Sequence, residues 1–192
     1  MRLFVAVEID PQVARKIGEC SDELRRRVGQ HAPRARVSWV PADRLHVTVR
    51  FIGETDEAQA AHIASSLQAA LGVEPFDAAF HGVGAFPERG VPRVFWAGMT
   101  AGAAGLTAVE EAVTARLAAC GVPPEGRPYR PHVTLARVRE ASGLRPRALF
   151  DGLIDRPFGV SPVGAITLFQ SRPSPNGSVY VPLQTTRLRS SA

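Results

Sequence analysis

The sequence has no apolar run approaching the ~20 residues that a membrane-spanning helix needs. It has two cysteines, Cys20 and Cys120, too few for a disulfide framework or a cysteine metal cage. It has one lysine, Lys16, so 22 of its 23 basic residues are arginine. It lacks a G-x-x-x-x-G-K loop, which argues against nucleotide hydrolysis of the P-loop kind. Charged residues make up 21% and the apolar set 45% of the 192 residues. Those values exclude disordered, collagen-like and coiled-coil chains. The first residues, Met1 to Asp10, carry an acid at position 8 and no small-residue cleavage pattern. They read as a first strand, not a signal peptide. A cytoplasmic protein with two buried thiols is the expectation.

Against 18 acids, the arginines leave a formal charge of +5. A GC-rich coding sequence would produce such a bias by itself. Arginine forks also suit phosphates better than lysine does, and a positive surface steers anionic partners such as nucleic acid.

Hydrophobic spacing divides the chain into short strands and three long helices. A strand at Leu3–Ile9 leads to a helix over about 12–28, with Val13, Ile17, Cys20 and Leu24 on one face, Asp10 as its cap and Pro11 in its first turn. Val37–Val40 reads as a short strand. Leu45–Phe51 alternates strictly and predicts a strand ended by Gly53. A second helix is expected over 55–71, capped by Thr55 and stopped by Gly72. Strands follow at 76–86 and 93–98, then a third helix at 104–119. A strand at 129–138, a weaker helix at 144–152 and strands at 158–170 and 178–188 complete the pattern. Pro173, Pro175 and Gly177 mark a hairpin loop, and residues 189–192 a frayed end.

The halves repeat. His46-Val47-Thr48-Val49 recurs 86 residues later as His132-Val133-Thr134-Leu135. A strand and a long helix precede each copy; a helix and a Phe-led strand, near Phe76 and Phe158, follow each. The unit is too long for a solenoid. It predicts an α+β, bilobal fold, with duplicated antiparallel sheets related by a pseudo-twofold axis. Helices would pack on the outer faces, leaving a central cleft. All of residues 1–192 would form one domain of two similar interleaved lobes.

Strand alternation puts His46 and Thr48 on one face and Val47, Val49 and Phe51 on the other. Arg130, His132 and Thr134 share a parity in the second copy. Two imidazoles and two hydroxyls would then meet in one cleft. Imidazole titrates near neutrality, so one ring can act as base and the other as acid. Threonine adds neutral hydrogen bonds to oxygens. The set suits displacement at phosphorus, with Arg130 stabilising charge on the non-bridging oxygens. A single H-x-T is most often an exposed polar face; two copies in a repeated frame carry the functional reading. Metal binding is disfavoured, because each motif offers one ligand where zinc needs three or four.

The residues resemble the two-histidine (2H) phosphoesterase superfamily, and within it the bacterial RNA 2′,3′-cyclic phosphodiesterases, also called 2′-5′ RNA ligase-like proteins. The resemblance rests on both H-x-T-x copies and on flanks along nearly the whole chain: Arg2–Ala6, Leu45–Glu54, Gly82–Pro87, Pro92–Trp96, Arg130–Arg137 and Leu168–Ser171. It implies cofactor-free and metal-independent hydrolysis of an RNA terminal 2′,3′-cyclic phosphate to a 2′-phosphomonoester. It implies His46 as proton donor to the leaving 3′ oxygen, His132 as the base that activates water, and Thr48 and Thr134 on phosphate oxygens with Arg130 helping. The sequence alone does not distinguish acid from base. RNA ending in a cyclic phosphate, tRNA fragments included, would be the partner of a monomer. The alternatives are a 2′-5′ RNA ligase or a small cyclic or oligonucleotide phosphodiesterase on the same site, and a non-catalytic RNA-binding module.

Other side chains have competing roles. Trp39, Trp96 and Tyr129 could stack a base but at such positions more often pack in the core; Tyr129, beside Arg130, is the best placed. Arg44 and Arg50 share the parity of His46 and could line the cleft. His31 and His62 read as solvated. His81 lies on a glycine-rich strand. Cys20 and Cys120 read as packing residues.

Overall fold

The computed structural model describes residues 1–174 and 177–189. In chain order the elements are β1 (Arg2–Glu8), α1 (Pro11–His31), β2 (Arg36–Trp39), a 3₁₀ turn (Ala42–Arg44), β3 (His46–Glu54), α2 (Glu57–Ser66), β4 (Leu71–Gly72), β5 (Phe76–Phe86), β6 (Val94–Ala101), α3 (Ala103–Ala118), β7 (Val133–Glu140), α4 (Pro146–Leu149), β8 (Pro157–Val163), β9 (Ala165–Ser174) and β10 (Gly177–Arg189). Among the described residues, no helix is long and apolar enough to cross a membrane.

The strands form one sheet in the order β4-β10-β9-β1-β3-β7-β6-β5-β8, with β2 on β7. Its middle is narrow: β3 and β7, which carry the H-x-T copies, pair only through Val47 and Val133. The order reads alike outward from that bridge, as β3-β1-β9 on one side and β7-β6-β5 on the other. The α+β, two-lobed architecture is therefore present, but the lobes are not the sequence halves. β5, from the first half, completes the lobe of β6 and β7, and β9 returns to complete the lobe of β1 and β3.

The long helices cross over as well. α1 lies on β8 and α4, whereas α3 lies on β3 and β4. α1 presents Val13, Ile17, Cys20, Leu24 and Val28 to the core, and α3 presents Leu106, Val109, Val113 and Leu117. These residues join one continuous apolar core with the inward faces of the strands. Exchange of strands and helices between halves gives each lobe buried area from both, the largest favourable term in folding.

Local chemistry explains the element ends. The Asp10 carboxylate accepts from the amides of Gln12 (2.8 Å) and Val13 (3.3 Å), capping α1 as expected; the helix runs on to His31. The cap of α2 is Asp56, accepting from the Gln59 amide at 2.7 Å. Thr55, expected there, instead donates its hydroxyl to the Met1 carbonyl at 3.0 Å. α2 stops at Ser66; beyond it, buried Leu71 and exposed Gly72 pair in parallel with the end of β10. The expected strand over 158–170 divides at Gly164 into β8 and β9. Tyr129–His132 precede β7, and Pro131 among them has no amide to give a ladder. Arg189 closes β10; Pro175 and residues 190–192 lie outside the described residues.

Candidate active site

β3 and β7 share a burial pattern with a physical cause. In β1–β3 pairing Val5 faces Arg50 and Ala6 faces Thr48, so Val49 is a bulge. In β6–β7 pairing Phe95 faces Ala136 and Trp96 faces Thr134, so Leu135 is a bulge. A bulge adds one residue and reverses the alternation beyond it. Each copy therefore turns two residues inward in succession, Val49-Arg50 and Leu135-Ala136. Phe51 and Arg137, the next residue in each copy, are turned out to the cavity.

That cavity has a volume of about 580 Å³ and is lined by His46, Thr48 and Thr134 among others. His46 and Thr48 share a wall, with 3.1 Å between the imidazole Nε2 and the Thr48 hydroxyl. The two histidines are held the same way. His46 Nδ1 lies 2.8 Å from the Arg44 carbonyl, and His132 Nδ1 lies 2.7 Å from the Arg130 carbonyl. A carbonyl only accepts, so Nδ1 carries the proton in both rings. Nε2 is then the nitrogen of each ring that gains or loses a proton.

Aromatic rings fix both imidazoles. Phe4 (5.2 Å) and the edge-on Tyr180 (5.3 Å) flank His46, and Phe86 meets His132 edge-on at 5.1 Å. Burial pushes both histidines below their ordinary value, opposed by the carbonyl at Nδ1. The Arg137 guanidinium lowers both further. His46 also feels the His132 charge, which lowers it, and the Glu8 carboxylate, which raises it. Arg137 lines the cavity with His46, Thr48 and Thr134, where an anion would be stabilised; His132 is not among the described residues that line it.

The other expected residues have varied positions. The Arg130 guanidinium pairs with Glu88 at 2.9 Å, lies 5.8 Å from the Phe86 ring centre and is 64% exposed. Its carbonyl, not its charge, meets His132. Tyr129 does not offer its ring for stacking: it packs against the core, and its hydroxyl donates to the Thr48 carbonyl at 3.0 Å. Burial, with the nearby Glu110, raises that phenol. Arg44 donates to the Ser178 carbonyl at 2.7 Å. Arg50 is turned to the back of the sheet by the Val49 bulge, where it meets Glu110 and Glu125.

Trp39 packs near Phe95. Trp96 packs against Phe86 over Gly84, where a Cβ would stand 2.2 Å from the indole. His31 and His62 are exposed and His81 is half-buried. Cys20 and Cys120 are buried free thiols.

Strict alternation gave no reason to expect Arg2, Arg139, Ser171, Ser178 or Tyr180 in the cavity, and placed Phe51 on the wrong face. Arg137 had one available signal. It stands 86 residues after Phe51, so the repeat itself marks both as equivalent positions.

The comparisons agree with this geometry. A family model described as the 2′-5′ RNA ligase superfamily matches residues 10–171. The RNA 2′,3′-cyclic phosphodiesterase of Aeropyrum pernix is 37% identical over 153 residues, covering 79% of this chain and 86% of that protein. The Thermus thermophilus protein of the same name is 33% identical over 197 residues, covering 98% and 91%. A solved structure from Thermus thermophilus superposes with a TM-score of 0.79 at 30% identity, covering 100% of both chains. Escherichia coli LigT, solved with 3′-AMP, shares the fold with a TM-score of 0.71 at 24% identity, covering 97% of each. Two H-x-T strands joined at a single bridge, and a family model that runs across both, give the same answer: the chain belongs to the 2′-5′ RNA ligase superfamily of two-histidine phosphoesterases.

Proposed function

We propose that the protein hydrolyses the terminal 2′,3′-cyclic phosphate of RNA to a 2′-phosphomonoester. The observation that carries this reading is the matched pair of imidazoles, each fixed through Nδ1 to the carbonyl two residues before it. Similarity to proteins named RNA 2′,3′-cyclic phosphodiesterase supplies the substrate class. His132 Nε2 takes a proton from water as the water oxygen attacks phosphorus. The bond from phosphorus to the 3′ oxygen breaks, and His46 Nε2–H protonates that oxygen. Thr48 and Thr134 hold non-bridging oxygens, and Arg137 offsets the charge that develops on them.

A bound phosphate would raise both histidines above their free-state values. Each turnover leaves the protons exchanged between the rings, and solvent restores them. We read residues 1–192 as one two-lobed unit, acting as a cytoplasmic monomer on RNA ends that include tRNA fragments.

The experiment is hydrolysis of a cyclic-phosphate RNA oligomer in EDTA. A 2′-phosphate product is expected, with His46→Ala and His132→Ala each slowed ~10²–10⁴-fold. Inactivity of the wild type without metal, or full rate in both variants, overturns the proposal. The family's name favours a second use of the site, in which an RNA 5′-hydroxyl replaces water and a 2′-5′ bond forms. Adding a 5′-hydroxyl RNA to the same incubation separates the two reactions by product length.

A further inference from the structure

Six arginines have carboxylate partners within 4 Å among the described residues: Arg15, Arg27, Arg36, Arg50, Arg130 and Arg156. The cavity has a different population. Arg2, Arg137 and Arg139 all line it, and none of the three guanidiniums has an ion pair or hydrogen bond among the described residues. Glu54, the cross-strand neighbour of Arg2, is turned to the N-terminal amine at 3.8 Å. No carboxylate lines the cavity among the described residues. Three unneutralised guanidiniums around one small cavity repel one another unless an anion sits among them.

One phosphate does not account for all three. A cyclic phosphodiester carries a single negative charge, and Arg137, which lines the cavity with His46, Thr48 and Thr134, is already placed to meet it. Arg139 stands two residues further along β7 on the same face, ~7 Å away along a strand. That is of the order of the spacing between successive phosphates of a nucleic-acid strand. Arg2 enters from β1, in register with Ser171, which in turn pairs with the Tyr180 that touches His46. Phe51, 45% exposed in the same cavity, offers a ring face where a base could lie.

We propose that Arg2 and Arg139 form a second phosphate subsite, which holds the internal phosphodiester on the 5′ side of the reacting nucleotide. This rests on the reading of the site as an RNA-end phosphodiesterase and adds a length requirement: the preferred substrate is an oligonucleotide, not a cyclic mononucleotide.

The test is calorimetric binding of two product analogues, adenosine 2′-monophosphate and the dinucleotide ApA ending in a 2′-phosphate. At low salt the wild type is expected to bind the dinucleotide at least ~10-fold more tightly, with a steeper loss of affinity as salt rises. Arg2→Ala/Arg139→Ala should abolish that preference while changing mononucleotide affinity less than about twofold. Equal affinities and equal salt slopes in the wild type overturn the subsite without any variant. A double variant that weakens both ligands equally also overturns it. Failure of the underlying reading would appear elsewhere, as no hydrolysis of cyclic-phosphate ApA by a wild type that still binds the dinucleotide more tightly.

Discussion

Replacing Arg50 should loosen the junction between the two histidine strands. Its guanidinium is 3% exposed behind β3 and donates to the Pro123 carbonyl. Nη1 lies 3.4 Å from Glu125 and 3.9 Å from Glu110, while Nε has no hydrogen-bond partner among the described residues. Both Pro123 and Glu125 belong to the segment that leads from α3 to His132, so this one side chain ties that segment to the strand of His46. Removing one member of a buried ion pair costs ~3–5 kcal/mol. The low end applies to Arg50→Met, because Glu125 is 50% exposed and can turn to water. Glu110 cannot do so as readily, being 17% exposed. A loss of ~3 kcal/mol corresponds to a fall of ~6–12 °C in Tm for a chain of this size. Thermal and urea melts of Arg50→Met, Glu110→Gln and the double variant form the assay. The double variant should recover ~1–2 kcal/mol of the loss, because Gln leaves no unpaired charge. An Arg50→Met protein within ~0.5 kcal/mol of wild type, or strictly additive losses, would refute the clamp.

Tyr129→Phe removes the hydroxyl that meets the Thr48 carbonyl, and should cost ~1–2 kcal/mol with a lowered kcat and little change in KM. Unchanged melts and kinetics would show that the contact holds nothing in place. The lowered histidines give a signed pH dependence. Between their folded values and the ordinary ~6.5, the unfolded chain binds more protons, so stability rises with pH and is lost on acidification. Binding of inorganic phosphate should raise both rings and take up protons, read as a buffer-dependent heat in calorimetry. Heats independent of the buffer's ionisation enthalpy would contradict it.

Much of this molecule was legible from periodicity. The strands of the H-x-T copies, the face of α1 and its Asp10 cap all follow from local rules, and the duplicated motif pointed to His46, Thr48 and Thr134, which line the cavity. Two kinds of information were not local. Bulges at Val49 and Leu135 reverse the alternation, sending Arg50 to the back of the sheet and Phe51 and Arg137 to the cavity. No composition marks either bulge, since Val and Leu are ordinary strand residues. The lobes were expected to interleave, but that β5 and β9 are the strands exchanged was equally hidden, and with it the arrival of Ser171 and Tyr180 in the cavity of His46. Arg130 was misplaced for a third reason: strand parity was applied to residues before Pro131, where there is no strand.

On the proposed mechanism, two alike imidazoles divide the work of acid and base. A substrate whose bridging 3′ oxygen is replaced by sulfur tests this most directly, because a thiolate leaves without a proton donor. On that substrate His46→Ala should regain most of the wild-type rate, while His132→Ala should stay slow. Rescue of His132→Ala instead would exchange the roles, and equal behaviour of the two variants would contradict the division of labour altogether.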